Sequence, residues 1–280
     1  VYIALFVFVL AIPQRLVSQS LNFDGDQDYV NVNTVAGEMS GATDWAVSFW
    51  VKPNLANFPE TDSYIVGVNS SSGTNRVMIG LKRTTGYVVV YDGGDEYIEI
   101  TGSTAATNAT WNHIVYSEVS GVGKIYLNGV SQGTHTASYY FSSNDKWTLG
   151  GEYDYANITN EYHGLLDEVA VWKDDLTIEE VTALYNSGAP LSAGANAGDY
   201  TSSNDLKAYW LMNEGSGSAI ADVTSNSNSG TITGVTAGTG LSGGGTTGGV
   251  TVNLDAATTS ALGGVKVGDN LSIDGSGVLS

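Results

Sequence analysis

Residues 162–188 read YHGLLDEVAVWKDDLTIEEVTALYNSG, a strand followed by one short amphipathic helix. No other segment carries a clear helical pattern, so the fold must be assembled almost wholly from strands. Leu165, Asp167, Val169 and Val171 alternate with Leu166, Glu168, Ala170 and Trp172, the period of two that sends successive side chains to opposite faces of a strand. Asp174 or Thr177 can cap a helix over 176–186, with Leu176, Val181, Leu184 and Tyr185 at helical spacing. Glu179 and Glu180 fall in its first turns, where the helix dipole favours acids. Gly188 and Pro190 stop it.

Upstream, short β patterns follow one another between turn residues, at 21–23, 29–32, 45–52, 64–68, 77–82, 87–91, 97–101, 112–118, 123–127, 130–134, 146–149 and 164–172. Asn128-Gly129 is the clearest hairpin turn, because both central residues of a type I′ turn need positive φ. Asp92-Gly93-Gly94 is a second. Many strands, no βαβ alternation and one late helix predict an all-β fold of two antiparallel sheets packed face to face. Trp45, Trp50, Trp111 and Trp172 are its expected core.

At 280 residues and 42% hydrophobic, the chain can bury a substantial core. Its 29 acidic and 10 basic residues give a net charge of −19. A nucleic-acid binder needs a basic track along phosphates, so that class is excluded. With no cysteine, there are no disulfides or thiolate metal sites. The apolar run YIALFVFVLAI at 2–12, then Pro13 and Leu16-Val17-Ser18, reads as a secretory signal peptide over 1–20 that lacks its basic start. The alternative is a buried first strand. Export makes the protein secreted or displayed on a cell surface, or else part of a virion tail fibre.

The blocks LNFDGDQDYVNV (21–32), WAVSFWVKP (45–53), WNHIVYS (111–117), KIYLNGV (124–130) and YHGLLDEVAVW (162–172) together resemble laminin G-like, concanavalin A-like jelly-roll domains, in the family's order. The resemblance covers 21–190 and implies a two-sheet β-sandwich, with 191–205 as a Gly- and Ser-rich linker. A motif with which such domains commonly open stands after the helix instead, as YWLMNEGSG (209–217) followed by Asp222 and Gly230. Either residues 206–235 close the same sandwich, which would leave no orphan strand edges, or they begin a truncated second copy. Residues 236–280, rich in Gly and Thr with only short strands, resemble the shafts of phage tail fibres and surface adhesins and imply a homotrimer.

Asp24, Asp26 and Asp28 resemble a cation loop, but an EF-hand needs Gly at Tyr29 and Glu at Val35. The jelly-roll resemblance implies instead one structural calcium held by Asp24, the Gly25 carbonyl and Asp167. The alternative is that Asp24 and Asp26 shape an Asx turn and Asp167 bonds nearby amides. Glycosidases of this fold carry E-x-D-x-(x)-E on one strand, and here Glu152-Tyr153-Asp154 is followed by Ala156 and Asn157 where the second Glu belongs. His113, His135 and His163 have no metal or triad spacing, so no catalytic residue is expected. Tyr139 and Tyr140, then Tyr153 and Tyr155, crowd two loops where a sugar ring could stack, the alternative being rim packing.

Together these features predict a non-enzymatic extracellular module that binds carbohydrate or another surface ligand, with calcium as a structural cofactor, displayed on a fibre or adhesin. A purely structural fibre component and a divergent glycosidase are the alternatives.

Overall fold

The computed structural model describes residues 20–72, 75–92, 96–99, 104–136, 140–154, 157–214, 217–233, 235–236, 241–245 and 252–254. In chain order the strands are β1 (Leu21–Asp24), β2 (Tyr29–Asn31), β3 (Trp45–Pro53), β4 (Asp62–Asn69), β5 (Asn75–Lys82), β6 (Val88–Asp92), β7 (Glu96–Glu99), β8 (Asn112–Val119) and β9 (Val122–Leu127). There follow β10 (Val130–Thr136), β11 (Lys146–Leu149), β12 (Glu152–Asp154), β13 (Asn157–Thr159), β14 (His163–Trp172), β15 (Leu206–Trp210), β16 (Ala219–Ile220) and β17 (Gly230–Thr233). One sheet of seven strands runs β1-β14-β3-β8-β9-β10, with β15 also on β14, and one of eight runs β16-β17-β2-β11-β4-β5-β6-β7. The sheets are antiparallel and enclose one core, in which Phe23, Trp45, Phe49, Tyr116, Trp147, Tyr162 and Trp210 are buried. This is the sandwich that the strand spacing predicts. The pair β12–β13 forms a separate two-stranded ribbon.

β14 departs from strict alternation. Its register against β3 shifts between Asp167 and Ala170, and Glu168 takes a left-handed φ of 52°. This is a β-bulge, which inserts a residue and turns the side chains beyond it over. Leu166, Val169 and Val171 therefore share the interior, although the simple period sets Leu166 on the other face. Ala170 and Trp172 face a second core beneath α2 (Ile178–Tyr185), with Leu176, Val181, Leu184, Tyr200 and Tyr209.

Thr177 is the cap of α2. Its hydroxyl accepts the Glu180 N–H at 3.3 Å and the Glu180 carboxylate accepts the Thr177 N–H at 3.1 Å, a capping box. The other Glu180 oxygen accepts from Thr201 N–H and from the Ser202 hydroxyl, fixing the following loop to the helix. The helix ends on Asn186, which is left-handed at φ 42°, two residues before the expected Gly188. A second helix, α1 (Ala36–Met39), is too short to show a helical period in sequence; Ala36 and Met39 are in the core.

The segment after the helix joins both sheets. Val169 to Trp172 of β14 pair with β15, while β17 pairs with β2. Trp210 is buried in the sandwich, and its indole N–H donates to the Asn228 carbonyl at 2.8 Å. Asp222 Oδ1 accepts from Tyr209 and Thr224 N–H, and Oδ2 from Asn228 N–H and the Thr224 hydroxyl. Gly230 lies where a Cβ would meet Ile220, Val30 and Val32 at 2.8 Å, so a larger residue would crowd the core. Asp222 and Gly230 therefore have structural reasons to stand where they do.

Trp111 is not core: it is 39% exposed at the start of β8, while Trp45, Trp50 and Trp172 are buried. Three further short strands, Val235–Thr236, Leu241–Gly245 and Val252–Leu254, pair with one another apart from both sheets. The signal-like residues 1–19 and the fibre-like residues 255–280 lie outside the described residues. No helix of the described residues is long and apolar enough to cross a membrane.

Candidate functional site

The outer face of the eight-stranded sheet is set by its pairing. Opposed residues share a face, so Thr231, Asn31, Thr148, Gly67, Met78 and Tyr91 form one row across β17, β2, β11, β4, β5 and β6. Tyr64, Met78 and Val89 make a small apolar cluster there, with Tyr91 half-buried beside it. At Gly67 the chain has no side chain, and that permits the β12–β13 ribbon to lie on the sheet. A Cβ at Gly67 would stand 2.8 Å from Thr148 Oγ1, 2.9 Å from the Gly151 carbonyl and 3.2 Å from Glu152 Cα.

Four hydrogen bonds seat the ribbon. Thr148 Oγ1 donates to the Gly151 carbonyl at 2.6 Å and Tyr153 N–H to Asn69 Oδ1 at 3.3 Å. Tyr64 N–H donates to the Asn160 carbonyl at 2.8 Å, and Asn160 Nδ2 to the Asp62 carbonyl at 3.1 Å. Glu152 is buried beneath it: Oε1 accepts the Thr159 hydroxyl at 3.2 Å, while Oε2 has no partner. Burial above all, and then the charge of Asp154, push its carboxyl up to about 7, against the Thr159 hydrogen bond.

Of the four tyrosines expected to meet a ligand, Tyr140 is 66% exposed in the loop leading to β11. Tyr153 is half-buried on β12. Asn69, which holds the Tyr153 amide, pairs with Lys146 at the start of β11, and the loop that carries Tyr140 leads into that strand end. Tyr139 and Tyr155 lie outside the described residues. Sequence reasoning missed Tyr64 and Tyr91; along β4 a register shift between Tyr64 and Val66 breaks the alternation, which would have set Tyr64 with the buried Val66 and Val68.

The residues expected to bind calcium are not brought together. Asp24 pairs with His163 at the far end of β1, and Asp167 lies four residues further along β14. At about 3.3 Å per residue this is roughly 13 Å, whereas carboxylates that share a calcium ion each approach it to about 2.5 Å. Each carboxylate instead accepts a backbone amide, Asp24 from Asp26 at 3.0 Å and Asp167 from Glu168 at 3.0 Å. Asp24, Gly25 and Asp167 thus do not fit one ion. Nearby, Asp28 accepts the Asp24 N–H, and burial, then the Asp24 and Asp26 charges, push its carboxyl up to about 7. Among the described residues no three His, Asp or Glu side chains converge as metal ligands do.

Ser48 Oγ and His113 Nε2 are 2.7 Å apart on the outer face of the seven-stranded sheet, a distance that suits a nucleophile and its base. The ring is buried against Trp50 and Tyr185, which also stack on each other, its Nδ1 has no partner, and burial holds its pKa down to about 3. With Nδ1 unpartnered, the pair lacks the carboxylate–imidazole contact that orients the base of a Ser-His-Asp triad. His135 bonds Tyr116 on β10 and His163 opens β14, so the three histidines stay on separate strands.

The sequence profile of the concanavalin A-like lectin/glucanases superfamily matches residues 24–182. The chain belongs to that superfamily. Among solved structures it is similar to a putative carbohydrate binding protein from Bacteroides ovatus, at 14% identity and a TM-score of 0.53 over 85% of this chain and 60% of that one. A heptameric SAP-like pentraxin from Limulus polyphemus matches at 17% identity and 0.48, over 60% of this chain and 80% of that one. The CBM40 of a Ruminococcus gnavus IT-sialidase matches at 13% and 0.48, over 60% and 96%. At such identities the likeness is one of fold. None of the curated proteins matches the chain.

Proposed function

We propose that this superfamily member is a non-enzymatic carbohydrate-recognition module that works outside the cell and holds glycans at the Lys146 end of the outer face of the eight-stranded sheet. The observation that carries the reading is Tyr153, half-buried on the ribbon beside the Asn69–Lys146 strand end, with Tyr140 exposed in the loop that leads into that strand. An accessible aromatic face stacks on the apolar face of a sugar ring, while the half-buried Lys146 supplies a polar group at that strand end. Its likeness to a putative carbohydrate binding protein agrees with this use of the fold. Recognition without hydrolysis follows from Ala156 and Asn157 standing where glycosidases of this fold carry their second Glu. Residues 236–280 serve in this reading as a fibre-like connector that joins three copies.

A glycan array probed with and without EGTA tests the reading. Binding is expected in both arms, because Asp24, Gly25 and Asp167 do not share an ion. Tyr140→Ala and Tyr153→Ala should each weaken it about tenfold, the loss of roughly one aromatic contact. No binding under either condition would leave a structural fibre component as the better account, and turnover of a polysaccharide would make the protein a hydrolase. Sedimentation with and without residues 236–280 tests the trimer, and an unchanged monomer in both would refute it.

A further inference from the structure

Glu152 is a buried carboxylate that the proposed recognition does not use, and one of its oxygens has no hydrogen-bond partner. It lies under a ribbon that belongs to neither sheet and is held to β4 and β11 by a handful of hydrogen bonds. The close seat over Gly67 leaves no room for a hydration shell, and Oε2 is buried without a donor. A neutral carboxyl tolerates that position at the cost of one unmade hydrogen bond. A carboxylate there must either find donors or reach water.

We propose that Glu152 is a proton-operated clasp: protonated, it lies sealed between the β12–β13 ribbon and β4, and ionised, it releases the ribbon from the outer face of the sheet. The ionisable groups around it favour release over rescue. Asp154 shares its face of β12 and repels the charge. On β4, Asp62 and Tyr64 share the outer face and neither is a cation, and Glu161, which follows β13, is a further acid. Lys146, on the same face of β11 as Thr148, is the described cation on the elements against the ribbon, and its partner position is Asn69 at the strand end, not Gly67 below Glu152. Burial sets the midpoint near 7, so release spans the neutral range. The sign is unusual for an acid: the clasp holds at low pH and fails as pH rises. Its functional consequence rests on the outer-face reading, since release carries Tyr153 away from the Asn69–Lys146 strand end.

The test needs no ligand, so its outcome is independent of whether glycans bind. In the full chain, the Glu152 side-chain carboxyl carbon is titrated by NMR while amide exchange of Tyr153 and Tyr64 is followed from pH 5.5 to 8.5, corrected for intrinsic rates. The carboxyl should titrate near 7, and protection of both amides should fall at least tenfold with the same midpoint. Glu152→Gln should keep protection flat across the range. Thr159→Val, which removes the hydrogen bond that favours the carboxylate, should move both midpoints upward together and serves if Glu152→Gln does not fold. A carboxyl titrating at the ordinary 4 to 5, or protection unchanged through its titration, overturns the clasp.

Discussion

Asp222 accepts the backbone N–H of Tyr209 at 3.0 Å while its other oxygen accepts that of Asn228 at 2.7 Å. One side chain thus holds the strand that joins the seven-stranded sheet to the loop that leads into the eight-stranded sheet. Asp222→Ala strands three amides at once and should cost about 3–5 kcal/mol, read as a drop in the urea midpoint at unchanged slope. A loss under 1 kcal/mol would mean that water replaces the carboxylate and that the side chain is not a joint.

Gly67→Ala sets a methyl against the Gly151 carbonyl and Glu152 Cα, both backbone atoms that cannot swing aside. Overpacking of this kind costs about 1–3 kcal/mol. The ribbon is less firmly held than the sheet, so it should yield first, and faster exchange at the Tyr153 amide with an unchanged core is the expected signature.

His113 gives stability of the opposite pH sense to Glu152. Its folded pKa is about 3, below the ordinary 6.5, because burial disfavours the cation. The unfolded chain therefore binds the extra proton, and the contribution, complete above 6.5, is lost as pH falls toward 3, at most about 5 kcal/mol. Proton NMR of the ring should show His113 still neutral at pH 5 in the folded protein. A ring that titrates near 6.5 would contradict its burial.

For Glu152 the folded pKa lies above the ordinary 4.5, so its contribution is complete below that value and is lost as pH rises to about 7. Glu152→Gln should consequently gain up to about 3 kcal/mol over the wild type at pH 8 and nothing at pH 4, by chemical denaturation at the two pH values. A gain equal at both would point to packing instead of ionisation.

Much of the sandwich was legible because alternation and turn chemistry are local. Asn128-Gly129, the long strand at 45–53 and the Thr177 cap all work within a few residues. What sequence concealed depends on partners far along the chain. The bulge at Glu168 breaks the period of two, so Leu166 and Val169 share a core that counting alone would divide. Trp111 looks like core by type, yet its neighbours leave it at the rim. Of the site, Tyr140 and Tyr153 could be picked out as loop aromatics, but the outer positions of Tyr64 and Tyr91 follow only once the sheet pairing is known. Asp24 and Asp167 seemed a pair because a family likeness joins them, and a register of four residues separates them.

The placement of β15 has a practical bearing on how this protein can be cut. A fragment trimmed to residues 24–182, the portion that the superfamily profile recognises, would lose the indole of Trp210 from its interior and, with β15 and most of β1 gone, bare one edge of β14 along nearly its whole length. Such a fragment should be recovered as an aggregate, whereas an expression boundary drawn beyond Thr233 keeps the two sheets whole.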